Sequence, residues 1–183
     1  MPLNRELIRN YAQALYEAAR EQGLQHQVRK ELESLCLFAF EQPDLLRRMA
    51  FTFMSSRLSW ERKKEFLDAF AGAYGLSEMT RRWLSLMARY GRLNLLAHFI
   101  DDFIEVYRDG EHIAPAVVET AFPLDEDQQK RLEAALERAL GADVELEIHH
   151  NPNLIAGLRV RTRKHTWDYS IRGVLERFAA ELA

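Results

Sequence analysis

The apolar positions change their period once along the chain, near residue 110. Before that point they recur every three or four residues. Leu7, Ile8, Tyr11, Leu15, Ala18 and Ala19 share one helical side, and Gly23 ends the segment. The spacing predicts a second helix over 25–40, with Val28, Leu32, Leu35 and Phe38/Phe40 inward. A short third helix, Asp44 to Ala50, has Pro43 available for its first turn. Ser59 is the expected N-cap of a fourth, which turns Trp60, Phe66, Leu67 and Phe70 to one side and stops at Gly75. Ser77 caps a fifth running to Gly91, and a sixth runs from Leu93 to Arg108, ending before Gly110. Short connections between six helices imply an antiparallel bundle.

Beyond Gly110 the period drops to two. His112, Ala114, Ala116, Val118 and Thr120 alternate with Ile113, Pro115, Val117 and Glu119, which predicts a strand. Pro115 argues that this strand lies at an edge or starts late. Asp125 to Leu140 reads as a helix with acids in its first turn and Gly141 as its stop. Two further strands follow, one through Val144, Leu146 and Ile148 and one through Leu158, Val160 and Thr162. Asn151-Pro152-Asn153 supplies turn chemistry between them. A last helix is expected from Tyr169 to Leu182. The fold class is thus α+β, mainly α: a six-helix bundle over 1–108, then a small β-α-β-β-α domain over 109–183. Arg108-Asp109-Gly110 is the hinge candidate.

Composition narrows the function classes. Of 183 residues, 48% are hydrophobic and 29% charged, which is globular and excludes disorder. The net charge of -3 leaves no overall basic footprint for nucleic acid. Residues 1–110 hold 16 basic and 15 acidic side chains, and the remainder is acidic on balance. The single Cys36 fits a reducing compartment and reads as a buried, inert thiol. No apolar run reaches the roughly 18 residues of a membrane span. The amphipathic start lacks the apolar core of a signal peptide, so a cytoplasmic location is expected.

Chemistry-bearing patterns are sparse. Neither G-x-G-x-x-G nor G-x-x-x-x-G-K-[ST] occurs. The six histidines show no helical i, i+4 pair, and His149 and His150 point to opposite strand faces, so no metal site is expected. Asp101, Asp102 and Glu105 read as a solvated acidic face. No catalytic constellation, cofactor or small-molecule ligand is implied. Arg159, Arg161 and Arg163 put three guanidiniums on one strand face. One reading is a clamp for an acidic partner, as in an RNA-binding adaptor. The other is neutralisation by Glu145 and Glu147 on an antiparallel neighbouring strand.

Helices one and five are anomalous. Placed at 100° per residue, the apolar arc of the first spans about 160° and that of the fifth about 200°, where one core contact needs about 100°. Either both helices are central, or part of each arc stays open as a groove for a partner's amphipathic helix.

Several segments resemble one family. Ile8-Arg9-Asn10-Tyr11-Ala12-Gln13-Ala14-Leu15-Tyr16-Glu17 resembles the opening helix of the ATP synthase delta subunit family, whose mitochondrial member is the oligomycin-sensitivity-conferring protein. Met87-Ala88-Arg89-Tyr90-Gly91-Arg92-Leu93 is similar to the end of that family's fifth helix. Val117 to Leu124, Asn153 to Val160 and Asp168-Tyr169-Ser170-Ile171-Arg172-Gly173-Val174-Leu175 resemble its C-terminal motifs, in order. Asn151 and Ala156 depart from the family's usual Asp and Gly. The resemblance implies a non-catalytic stator connector of the F-type proton-translocating ATP synthase, peripheral on the cytoplasmic face of the bacterial inner membrane. It implies that helices one and five bind the N-terminal helix of an α subunit, through Tyr11, Ala14, Leu15, Ala18, Leu84, Met87 and Ala88. It implies that the C-terminal domain meets the peripheral-stalk b subunits near Gly157, Ser170 and Arg172. A structural role also suits Ser170, as the cap of the last helix.

Overall fold

Among the described residues, six α-helices precede the first strand. They are α1 (Arg5–Glu21), α2 (Gln25–Glu41), α3 (Pro43–Met54), α4 (Trp60–Ala73), α5 (Glu78–Arg89) and α6 (Leu96–Gly110), the last entered through a 3-10 turn at Leu93–Leu95. The structure is a computed structural model and describes residues 5–54 and 58–181. Side-chain caps mark two of the helix starts. Ser59 accepts from the Arg62 backbone N–H and Ser77 from that of Thr80, each satisfying an N–H that a helix start leaves unpaired. Pro43 opens α3, where its missing N–H costs nothing. That helix runs on to Met54, past the expected stop at Ala50.

Among the described residues, the buried side of these helices is apolar apart from Glu31 of α2 and Thr80 of α5. Phe99, Ile100 and Phe103 of α6 have no exposed surface, and Val28 and Leu32 of α2 are equally enclosed. Phe38 is buried as expected, but Phe40 points out and is 86% exposed. Two residues further round the turn is about 200°, so both cannot face one core.

The second part holds β1 (Ile113–Thr120), α7 (Glu126–Leu140), β2 (Asp143–His150), β3 (Leu158–Thr162), β4 (Thr166–Asp168) and α8 (Ile171–Glu181). α7 begins in a full capping box between Asp125 and Gln128 and ends at Gly141 in the left-handed region. The order of the sheet is β2-β1-β3-β4. β1 and β2 are parallel, joined by the α7 crossover that parallel pairing requires. Ala116, Val118, Val144 and Val160 face α7 and enclose Leu136 with it.

Four expectations are corrected. The Arg-bearing strand β3 does not pair with β2; β1 lies between them, because the chain crosses the end of β1 through a 3-10 turn at Pro152–Leu154. β1 is therefore central, and Pro115 is tolerated because pairing with β3 begins only at Ala116. A fourth strand, β4, precedes the last helix, which starts at Ile171 rather than Tyr169; its expected end at Leu182 lies outside the described residues. Finally, α6 extends through Gly110, so Arg108-Asp109-Gly110 is helical. The molecule is mixed α+β and mostly helical. It divides into two compact units, Met1–Tyr107 and Arg108–Ala183.

Candidate partner-binding surfaces

The first surface is built around α6. Phe99 makes T-shaped contacts with Tyr11 of α1 at 5.6 Å and with Trp83 of α5 at 6.0 Å between ring centroids. These aromatic contacts hold α1 and α5 against the same central helix. Just past the end of α5, the Arg92 guanidinium lies 5.0 Å over the Tyr11 ring and 5.2 Å over the Tyr90 ring. Arg92 also donates to the Tyr11 hydroxyl. One cation thus joins the two helices where their apolar flanks converge.

The seven residues assigned to the groove separate into two classes. Leu15, Leu84, Met87 and Ala88 are at most 5% exposed, so they form the chain's own core rather than an open lining. Ala14 is exposed, and Tyr11 and Ala18 are half-buried. The wide arcs have a simple origin: most of each packs inward, and only one flank stays accessible. On α1 that flank is Leu7, Tyr11, Ala14 and Ala18; on α5 it is Met79, Leu86 and Tyr90. The three α5 residues and Arg92 were missed as site residues. Their signal was present, since all three lie within the apolar arc and Arg92 follows a helix end.

The position of α5 is set by a carboxylate on α2. Glu31, 9% exposed, accepts from the Ser77 backbone N–H at 3.0 Å and from the Ser77 hydroxyl at 2.8 Å. Gln27 donates to the same carboxylate at 2.8 Å. A negative charge at the start of α5 also meets the positive end of its dipole.

In the second unit the three arginines are matched by carboxylates. Arg159 contacts Asp168 at 2.8 Å and Glu119 at 3.7 Å. Arg161 reaches Glu119 at 3.5 Å, and Arg163 pairs with Asp109 at 2.5 Å. Neutralisation is thus the outcome, but through Glu119, Asp168 and Asp109; Glu145 instead pairs with Arg108 at 2.7 Å, and Glu147 with His149.

Asp168 anchors the entry to α8. It accepts from the Ser170 hydroxyl at 2.6 Å and the Ser170 N–H at 2.9 Å, and Ser170 Oγ in turn accepts from the Gly173 N–H at 3.0 Å. Ser170 is therefore the helix cap and is fully buried. These donors, Ser170 foremost and Arg159 after it, hold the Asp168 carboxyl down at about 2. Gly173 and Gly157 are required by contact. A Cβ at Gly173 would lie 2.6 Å from the Asp168 carboxyl carbon, and one at Gly157 would lie 2.2 Å from the Tyr169 carbonyl oxygen. Gly157 and Ser170 thus shape the backbone, and Arg172 is exposed and paired with Glu176. The open apolar surface lies next to them: Ile171, Val174, Leu175 and Phe178 of α8 are 47–60% exposed on one side of the helix.

Burial raises the Cys36 thiol pKa, with Asp101 adding to it, which keeps the thiol unreactive. Among the described residues no group of three His, Cys, Asp or Glu side chains is placed to hold a metal, and no helix is long and apolar enough to cross a membrane.

Comparison with known proteins agrees with this architecture. The family model described as "ATP synthase delta (OSCP) subunit" matches residues 7–182. The ATP synthase subunit delta of Dichelobacter nodosus is 32% identical over 176 residues, covering 96% of this chain and 94% of that relative. That of Caulobacter vibrioides is 33% identical over 166 residues, covering 91% and 88%. A chain in the cryo-EM structure of the Toxoplasma gondii mitochondrial ATP synthase hexamer superposes with a TM-score of 0.67 at 25% identity, over 96% of this chain and 97% of that one. Matched from end to end by both sequence and fold, the chain belongs to the ATP synthase delta (OSCP) subunit family.

Proposed function

We propose that the chain is the stator connector of an F-type proton-translocating ATP synthase, a non-catalytic subunit that ties the catalytic head to the peripheral stalk. A rotary motor delivers work only while its head is held against rotor torque, and proton flow is coupled to ATP synthesis through that hold. The six helices of the first unit act as a bundle that binds the N-terminal helix of an α subunit. Residues 109–183 bind the b subunits. The assembly lies on the cytoplasmic face of the bacterial inner membrane, with the chain attached through its partners alone.

The observation that carries this reading is the pair of apolar flanks meeting at Arg92, with Tyr11 on one side and Tyr90 on the other. An amphipathic helix laid there covers Leu7, Ala14 and Ala18 from α1 and Met79 and Leu86 from α5. Buried apolar area gives such a contact a slow off-rate. For the b subunits, the uncovered side of α8 is the supporting feature. RNA binding through the arginine face has no support, since each of those guanidiniums meets a carboxylate of the same unit.

Ala14→Asp tests the groove. Ala14 is exposed, so the variant folds, whereas a charge at Leu84 or Met87 unfolds the helices. Binding of an α-subunit N-terminal peptide is expected to persist at high salt, because apolar burial carries it, and to be lost in Ala14→Asp. Undiminished binding in the folded variant refutes the assignment. A pull-down from membranes is expected to bring down α and b subunits together.

A further inference from the structure

We infer that the two rims of the α1–α5 groove carry opposite charge and thereby fix the direction in which the bound helix lies. This rests on the groove assignment made above.

Round α1, the surface passes from the buried stripe to Tyr11 and Ala18, then to Leu7 and Ala14, and next to Glu21 and Glu17, all three outer positions from Ala14 on being exposed. Of the bases of this helix, Arg9 and Arg20 lie on the other side of the buried stripe, and Arg5 stands in the first turn away from the Tyr11–Ala14 flank. Round α5, the surface passes from Trp83 and Met87 to Tyr90, Met79 and Leu86, and next to Arg82 and Arg89. Because the Tyr11 and Tyr90 flanks face each other across Arg92, the α1 rim is acidic and the α5 rim basic. The chain neutralises these rims only in part. Glu17 accepts from Gln13 and Arg82 pairs with Glu78. Glu21 and Arg89 have no ion-pair partner among the described residues, in contrast to the matched arginines of β3.

A helix in this groove turns its apolar stripe down and one flank towards each rim. Reversing its direction exchanges the flanks. The occupant that fits is therefore an α-subunit helix with bases on the flank facing α1 and acids on the flank facing α5. In the reversed direction like charges meet, which selects against that pose.

The test measures binding of the full chain to two peptides: the α-subunit N-terminal segment, and a version in which the acidic and basic residues of its two flanks are exchanged. At low ionic strength the natural peptide is expected to bind about tenfold more tightly, and the difference to shrink as salt screens the exposed pairs. Reversing both rims with Glu17→Lys, Glu21→Lys, Arg82→Glu and Arg89→Glu is expected to invert the preference. These side chains are exposed, and an unchanged thermal midpoint checks the fold. Equal binding of both peptides at low salt overturns the rim inference and leaves the groove standing. If the natural peptide does not bind at all, the groove reading fails, and this inference with it.

Discussion

Asp168 joins a strand end to a helix start, and its chemistry makes that junction sensitive to acid. Its carboxyl is held at about 2, below its ordinary 3.8, by Ser170 and Arg159. A depressed folded-state pKa contributes stability that is fully present above the unfolded value and is lost as pH falls through the folded one. Denaturation of the chain between pH 4 and pH 2 is therefore expected to show a loss of stability that Asp168→Asn removes, with the variant already weaker at pH 7. Gly173 offers a test of opposite sign. In an open helical position Gly→Ala stabilises by up to about 1 kcal/mol. Here the added methyl meets the Asp168 carboxyl, so Gly173→Ala is expected to destabilise by about 1–3 kcal/mol in urea titrations. Ile155 is a third local case. Its φ of 69° and ψ of -56°, with Ala156 N–H donating to the Leu154 carbonyl, make a γ-turn that a β-branched residue tolerates poorly.

At the scale of elements, the helices of the first unit were legible because their signals are local. Ser59, Ser77 and Asp125 cap the helices they precede, since a cap bonds an N–H only two or three residues away. The strand neighbours were not legible. Alternation says which face of a strand is buried, but not which strand lies beside it; Glu145 and Glu147 suggested a partner for the arginines, but the chain crosses the end of β1 at Pro152–Leu154 and β3 pairs with β1 instead. α5 shows both kinds of information. Its start follows from Ser77, but its position depends on Glu31, 46 residues earlier in the chain. Glu31→Ala removes three accepted hydrogen bonds at a buried site and is expected to lower stability by about 1–3 kcal/mol, measured by urea denaturation. If the groove proposed above is the site, peptide binding is expected to weaken in the same variant, because α5 forms one of its walls.

For the whole molecule, the division into two units has a mechanical meaning. If each unit grips a different partner, loss of one contact leaves the other bound, and the released surface rebinds at high effective concentration. The units have separate cores, Phe99 and Phe103 belonging to one and Val118 and Val160 to the other. Calorimetry of the chain is expected to resolve two transitions, with Glu31→Ala lowering one midpoint and Asp168→Asn the other. A single transition lowered equally by both substitutions contradicts independent units.

The sequence by itself determined the helices and their caps, the change of period near residue 110, and the motifs that placed the chain in its family. These depend on contacts within a turn or two, or on order along the chain. Only the tertiary structure decided which side of each wide apolar arc stays open, because burial depends on what packs against a helix and not on its own periodicity. It buried Leu15, Leu84, Met87 and Ala88, left Ala14 and Leu86 outside, and brought Arg92 between two tyrosines, one of them 81 residues away. It also set Asp168, Ser170 and Gly173 into one hydrogen-bonded corner, where close approach of backbone and carboxylate leaves no room for a methyl group.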